Sequence, residues 1–453
     1  MASLPRHLLL LLCCFSCLVH PSRARTLVLP LARDASTLRY VATVYHGPSL
    51  DPLELAVDLG GPSLWLDCSA PSSGSSVRRV PCRSIQCLAA TSDASGLRRA
   101  CPSGPSSVCG VRAEGGEAGV LGEGALAVDS VDGSGERSVA AVDRFLISCA
   151  RAAPGFGASG VGGTLGLGRS RISLPSQVAT AFGVRRRFFV CLSASEGVIV
   201  AGDGPFFSHL DADISKSLTY TPLATPLATA RSPRASDYLI NLTSIKINGK
   251  RLPLNSSSPY LIQLSAEIPY TAVASPIYSA LAEAFAGAAS AMGMARVPPV
   301  APFGVCFDPR SVGATAAGPD VPAIDLVLQS EMVRWRIGGS SSMVRVSDEA
   351  TCLGVVDGGD RLGSSVVLGG HQLEDVLLEF DFGGSRLGFS PSLSTMQLSC
   401  SNFRSNFNSM ACRRIDAISD RIGFGKNGGM YRVLTERARL ERSEGTQELT
   451  LEK

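Results

Sequence analysis

The residues best placed to do chemistry lie in two short stretches. In AVDLGGPSLWLDC, Ala56 to Cys68, an apolar run ends at Asp58 and passes at once into Gly60-Gly61. In LIQLSAEIPYTAV, Leu261 to Val273, about two hundred residues later, a similar run ends at Ser265 and turns through Ala266-Glu267. A carboxylate held on a tight turn at a strand end can take up or release a proton. Two of them about 3 Å apart share one proton, so that one acts as base and the other as acid toward a water. Only the first stretch supplies such a group. A serine hydroxyl offers neither a poised proton nor a negative charge at neutral or acidic pH, so Ser265 is no substitute. Glu267 is a carboxylate in the second turn, and its place in the loop predicts a side chain pointing away from Asp58's partner position.

Other chemistries find less support. There is no Gly-x-Ser-x-Gly elbow, and His46, His209 and His371 sit in strand or turn contexts without companions. Beyond the first 24 residues there is no CxxC pair or Cys/His cluster with zinc spacing, and the chain holds only five His, so neither metal nor cofactor is expected. Asp67 follows the strand leaving the first turn, and Asp357 in VVDGGD reads as a hairpin turn. The net charge of +3 is not gathered into a basic stripe interleaved with aromatics, which argues against nucleic acid.

Short strands must position these residues. The 453 residues contain 47 Gly and 27 Pro, with only 18% charged, which favours an all-β chain with a few short helices and two cores. Strand patterns run through STLRYVATVYHG, LELAVDLG, EGALAVDSVDG, VAAVDRFLISCA and RRFFVCLSA. In the second half they run through YLINLTSIKINGK, YLIQLSA, IDLVLQ, MVRWRIGG and VVLGG. Two helices are predicted. SLPSQVATAFG has Pro175 near its start, Val178 and Phe182 on one face, and Gly183 as the stop; SPIYSALAEAFAG has Ser275 as cap and Ile277, Leu281 and Phe285 as the buried stripe. Five Cys between Cys68 and Cys109 suggest a stapled insertion without a packed core. Residues 223–237, rich in Pro, Thr and Ala, read as the connection between halves.

The ends carry other signals. A basic start at Arg6, an apolar run from Leu8 to Val19 and small residues near Ala24 read as a cleaved secretory leader, residues 1–24. No later run is long and apolar enough to imply membrane insertion. Cys13, Cys14 and Cys17 leave with the leader, so 11 of the 14 Cys remain for an oxidising compartment, and Cys412 is nominated as the odd thiol. Asn241 and Asn255 head glycan acceptor triplets. From Arg413 to Lys453, 16 of 41 residues are charged, and residues 401–453 are expected to form a solvated tail.

The order of these motifs carries a resemblance. An apolar strand into Asp58, GTLGLGRS at Gly163 to Ser170, a second strand into Ser265, and then VVLGGHQLEDVLLEFDFGGSRLGFS resemble the pepsin-like aspartic peptidases. VPCRSIQCLAA, GGTLGLGRSRISLPSQVATAFGV and LSAEIPYTAVASPIYSALAEAF are similar to a plant branch of them: the cereal xylanase inhibitors, dermal extracellular glycoproteins and basic seed globulins. The resemblance covers roughly residues 36–400 and implies a bilobal fold, with an N-terminal lobe at 36–222 and a C-terminal lobe at 238–400 flanking a cleft. It also implies disulfides Cys191–Cys400, between lobes, and Cys306–Cys352, within one.

The same resemblance sets the functional expectation. Ser265 stands where the family carries its second catalytic Asp, Leu59 and Ala266 replace the two active-site Thr, and no Tyr of a covering hairpin is found in GEAGVLGEGALAV. The expected function is a secreted, catalytically inactive homologue that acts as a monomer and inhibits a microbial glycoside hydrolase, a xylanase or an endoglucanase. The rival reading is an aspartic endopeptidase of residual or unusual activity. In the inhibitors, the loop before the last core Cys meets the target; here it is SPSLSTMQLSC, with Leu393, Ser394, Thr395, Met396 and Gln397 as candidate contacts and no His.

Overall fold

The computed structural model describes residues 26–403, apart from 69–76, 93–96, 102–106, 114–115, 117, 133–136, 151–160, 203–207, 210–211, 226–232, 255–259, 317, 361 and 363. The leader 1–24, Asn255, Cys412 and the tail from 404 onward lie outside the described residues, as does the middle of the predicted connection.

The architecture is mainly β with a few short helices, and its two halves repeat one motif. In the first half, strand Asp51–Asp58 runs parallel to Gly163–Gly166, which lies antiparallel to Leu64–Asp67. In the second, strand Tyr260–Leu264 runs parallel to Val366–Leu368, which lies antiparallel to Thr271–Val273. Leu64–Asp67, Val366–Leu368 and the end of Asp51–Asp58 are apolar because both their faces are buried, whereas Tyr260–Leu264 buries Ile262 and Leu264 and leaves its other residues partly exposed. Leu55, Val57, Leu64, Leu66, Ile262, Leu264, Val366 and Leu368 all lie in one continuous core.

The halves are joined by paired strands. Arg187–Cys191 lies antiparallel to Leu377–Asp381, and Thr219–Ala224 lies antiparallel to Arg386–Phe389. Phe188 stacks on Phe380 at 4.8 Å between ring centroids, and Tyr238 packs on the same ring at 4.3 Å. The disulfide Cys191–Cys400 closes this junction, and Cys306–Cys352 joins facing residues of two strands in the second half.

Four local features depart from expectation. Strand Thr26–Arg33 lies ahead of the predicted start at 36 and pairs with Glu196–Gly202; Pro30 breaks the run that would have announced it. The Cys-rich region is stapled by Cys82–Cys101 and Cys87–Cys109, yet Trp65, Val80, Ala90, Leu97, Val111 and Leu121 also give it a small core. Both helices form, Leu174–Phe182 and Ser275–Ala291, with Val178, Ile277, Leu281 and Phe285 buried and Phe182 partly so, but Ala274 and not Ser275 is the cap of the second. The Ser275 hydroxyl donates instead to Asp357 at 2.6 Å, which draws it off the helix end. Finally, Ser401–Phe403 still belong to the fold, because Phe403 is buried.

Candidate functional site

The repeated motif places Asp58 and Ser265 at matching points. The carbonyl of Asp58 accepts from Leu167 N at 2.9 Å, and three residues on, Gly61 accepts from Gly168 at 2.9 Å. In the second half, Ile268, three residues after Ser265, accepts from Gly370 at 2.9 Å. The side chains follow the same rule. Asp58 Oδ1 accepts from Gly60 N at 3.0 Å, and Ser265 Oγ accepts from Glu267 N at 3.2 Å, each two residues on. Serine therefore keeps the bond that closes its own turn and drops the charge. Gly61 must be glycine, since a Cβ there would lie 2.7 Å from Gly166 Cα and 2.9 Å from Asp58 Oδ2. Leu59 and Ala266, where orienting hydroxyls were expected to be missing, are buried and join the core.

What meets Asp58 is a cation. Arg234 places Nη1 at 2.8 Å from Asp58 Oδ2 and Nη2 at 2.9 Å from Oδ1, a two-pronged ion pair. Its Nε reaches Asp237 Oδ1 at 3.0 Å, and Nη2 also lies 3.5 Å from Glu267 Oε2. Asp237 is fixed in turn: its Oδ2 accepts from Arg234 N at 2.8 Å and from Gln263 Nε2 at 3.0 Å. The turn Arg234–Asp237 is anchored by the next residue, since the Tyr238 hydroxyl donates to the Leu167 carbonyl at 2.7 Å. Three carboxylates thus share one guanidinium, and that guanidinium stands between Asp58 and the other two.

The electrostatics follow from that count. Burial works against the Arg234 charge, but Asp58 and Asp237 outweigh it and hold the guanidinium above its ordinary value. Burial pushes the Asp237 carboxyl up to about 6, with Arg234 opposing and Asp58 adding to the rise. Burial and then Asp58 push Glu267 up to about 7, although its side chain keeps 37% of its surface exposed and solvent screens the effect.

Several predicted residues are placed differently from expectation. Glu267 does not point away; it turns toward Asp58's counter-ion, because a guanidinium carrying two acids attracts a third. The stretch 223–237 is not merely a connection, since its described end supplies Arg234 and Asp237 to the site. Sequence reasoning missed both, although an Arg and an Asp three apart, directly ahead of the apolar strand YLINL, mark a charged turn entering a core. In the candidate target loop, Leu393 is fully buried and so cannot make an outward contact; Thr395, Met396 and Gln397 carry the exposed face, and Ser394 is half-buried. Asn241 is exposed on its strand. His371 Nε2 lies 3.1 Å from the Met343 carbonyl and His46 Nδ1 lies 3.0 Å from the Ala125 carbonyl, both in structural settings.

Comparison with known proteins fixes the lineage. Residues 40–203 match the family model described as xylanase inhibitor N-terminal, and residues 237–391 match the one described as xylanase inhibitor C-terminal. The chain belongs to the xylanase inhibitor family. A relative of this family member, named probable aspartic proteinase GIP2, from Nicotiana benthamiana, is 39% identical over 86% of the chain and 93% of its own length. Gamma conglutin 1 from Prunus dulcis is 34% identical over 84% of the chain and 90% of its own length. Among solved structures, edgp is 42% identical and superposes with a TM-score of 0.76 over 84% of the chain and 98% of its own. Basic 7S globulin from soybean is 31% identical, with a TM-score of 0.68 over 83% and 98%. An aspartic proteinase from Irpex lacteus, 17% identical with a TM-score of 0.53, shares the fold alone over 83% of the chain and 99% of its own. The xylanase inhibitor fold is thus the bilobal, pepsin-like one, and this chain's β architecture is of that kind.

Proposed function

We propose that this family member is a secreted, monomeric protein without peptidase activity that binds and inhibits a microbial cell-wall-degrading glycoside hydrolase. One observation carries the loss of chemistry: both oxygens of Asp58 are engaged by Arg234, and the matching turn offers Ser265 in place of an acid. Peptide hydrolysis by paired carboxylates needs the second acid close by with a water between them; a guanidinium in that position cannot accept a proton. Two xylanase-inhibitor family models across the chain support the inhibitory reading, and Thr395, Met396 and Gln397 form the face we assign to the target. The leader-like N-terminus supports export, and among the described residues no helix is long and apolar enough to cross a membrane.

Two assays on the purified protein test this. In the first, it is mixed with a panel of fungal xylanases and endoglucanases, and the activity of at least one is expected to fall in a saturable way. In the second, a denatured protein substrate is offered at acid pH. Turnover that is blocked by a transition-state analogue and lost in Asp58→Ala would restore the peptidase reading.

A further inference from the structure

Beyond the Ser265 turn, Pro269 and Tyr270 wall a separate cavity of about 200 Å³. Arg33 and Tyr40 line it from the first half, and Tyr270, Arg345, His371 and Glu374 line it from the second. The one carboxylate in its wall is already matched. Glu374 Oε1 accepts from Arg33 Nη1 at 2.5 Å and from the Tyr40 hydroxyl at 2.8 Å, and Oε2 faces His371 Nδ1 at 3.7 Å. That leaves the second arginine without a carboxylate of the wall to match it. Among the described residues the Arg345 side chain is held by Asp348 alone, at 2.9 Å, with the two side chains 63% and 99% exposed. An exposed pair of this kind is worth little and exchanges readily for a better-placed anion.

The rest of the lining is a ring platform. Tyr270 stands edge-on to Phe303 at 4.7 Å, and among the described residues no hydrogen bond occupies its hydroxyl. Met343 and Leu38 add apolar wall. The volume lies below the roughly 300 Å³ at which sites for drug-sized ligands begin, which admits a single ring and excludes an oligomer or peptide. We propose that this cavity binds a small organic carboxylate, its ring against Tyr270 and its carboxylate on the Arg345 guanidinium, with the remaining donors of Arg33 behind it. Planar, forked recognition of carboxylate is what arginine does best.

The proposal is independent of hydrolase inhibition and is tested by direct binding. Benzoate and D-galacturonate are titrated into the full-length protein by calorimetry or ligand-observed NMR, alongside their neutral counterparts benzamide and D-galactose. At least one acid is expected to bind tenfold or more tightly than its neutral counterpart, and Arg345→Gln to weaken it about tenfold, the size expected for one charge-assisted hydrogen bond. Tyr270→Ala is expected to weaken whichever acid binds; should that variant fail to fold, the surface substitution Arg345→Gln decides alone. The proposal falls if neither acid binds, if the neutral counterparts bind equally well, or if Arg345→Gln leaves the affinity unchanged.

Discussion

Arg234 does for Asp58 what a second carboxylate does in a working pair: it occupies the facing position, but with the opposite charge. Removing it strands Asp58 and Asp237 as buried charges without a counter-ion. Arg234→Leu is therefore expected to cost about 3 kcal/mol or more in chemical denaturation. Asp58→Asn should cost clearly less, since it leaves one acid fewer on a guanidinium that already serves three. A loss below about 1 kcal/mol for Arg234→Leu would mean that the ion pair contributes no more than an exposed one. Restoring an acid should not restore chemistry either. Ser265→Asp leaves Arg234 on Asp58, so turnover at acid pH is expected to stay at least about 10⁴-fold below a working site. Asp58 and Ser265 were legible because each ends an apolar strand at a tight turn. Arg234 was not, because the Pro/Thr/Ala-rich composition around it masks the one local signal, an Arg and an Asp three apart ahead of an apolar strand, and its partner Asp58 lies 176 residues away.

At the scale of elements, the two repeated strand motifs could be read from short apolar runs, and both helices from one buried stripe bounded by Gly, Pro and Ser. Strand Thr26–Arg33 escaped because its register is set by a partner some 170 residues away, Glu196–Gly202. The small core of the Cys-rich region escaped for a related reason: its apolar residues are scattered singly and converge only once Cys87–Cys109 closes. One side chain ties such elements to the site. Tyr238 sits in the aromatic stack of the junction and donates to the Leu167 carbonyl beside Asp58. Tyr238→Phe keeps the stack but leaves that carbonyl without its donor, and should cost about 1–3 kcal/mol in thermal or chemical unfolding. Tyr238→Phe unfolding at the wild-type midpoint would show that the turn is anchored elsewhere.

For the molecule as a whole, buried acids set opposite pH limits. Asp237 and Glu267 have folded-state values raised to about 6 and about 7, so their contribution is present in full below their ordinary values. It is lost as pH rises through that range. Glu374 runs the other way. Burial opposes its ionisation, but His371, Tyr40 and Arg33 outweigh it and hold the carboxyl below its ordinary value, so its contribution disappears as pH falls through the folded value. The melting temperature should therefore peak at mildly acid pH, near 5, and fall toward about pH 8. Glu267→Gln should flatten the alkaline side of that profile. A wild-type maximum above neutrality would contradict the charge count around Arg234.

The guanidinium is carried on the connection between the halves, and it grips acids that come from both. Swinging one half outward would pull the cation away from Asp58 or from Glu267, while Asp237 travels with it on the same turn, so hinge-like opening is opposed at its pivot. The jaws are riveted at one gape. Whatever docks across them meets a stiff rim whose ordering entropy was lost at folding, and so need not be lost again on association.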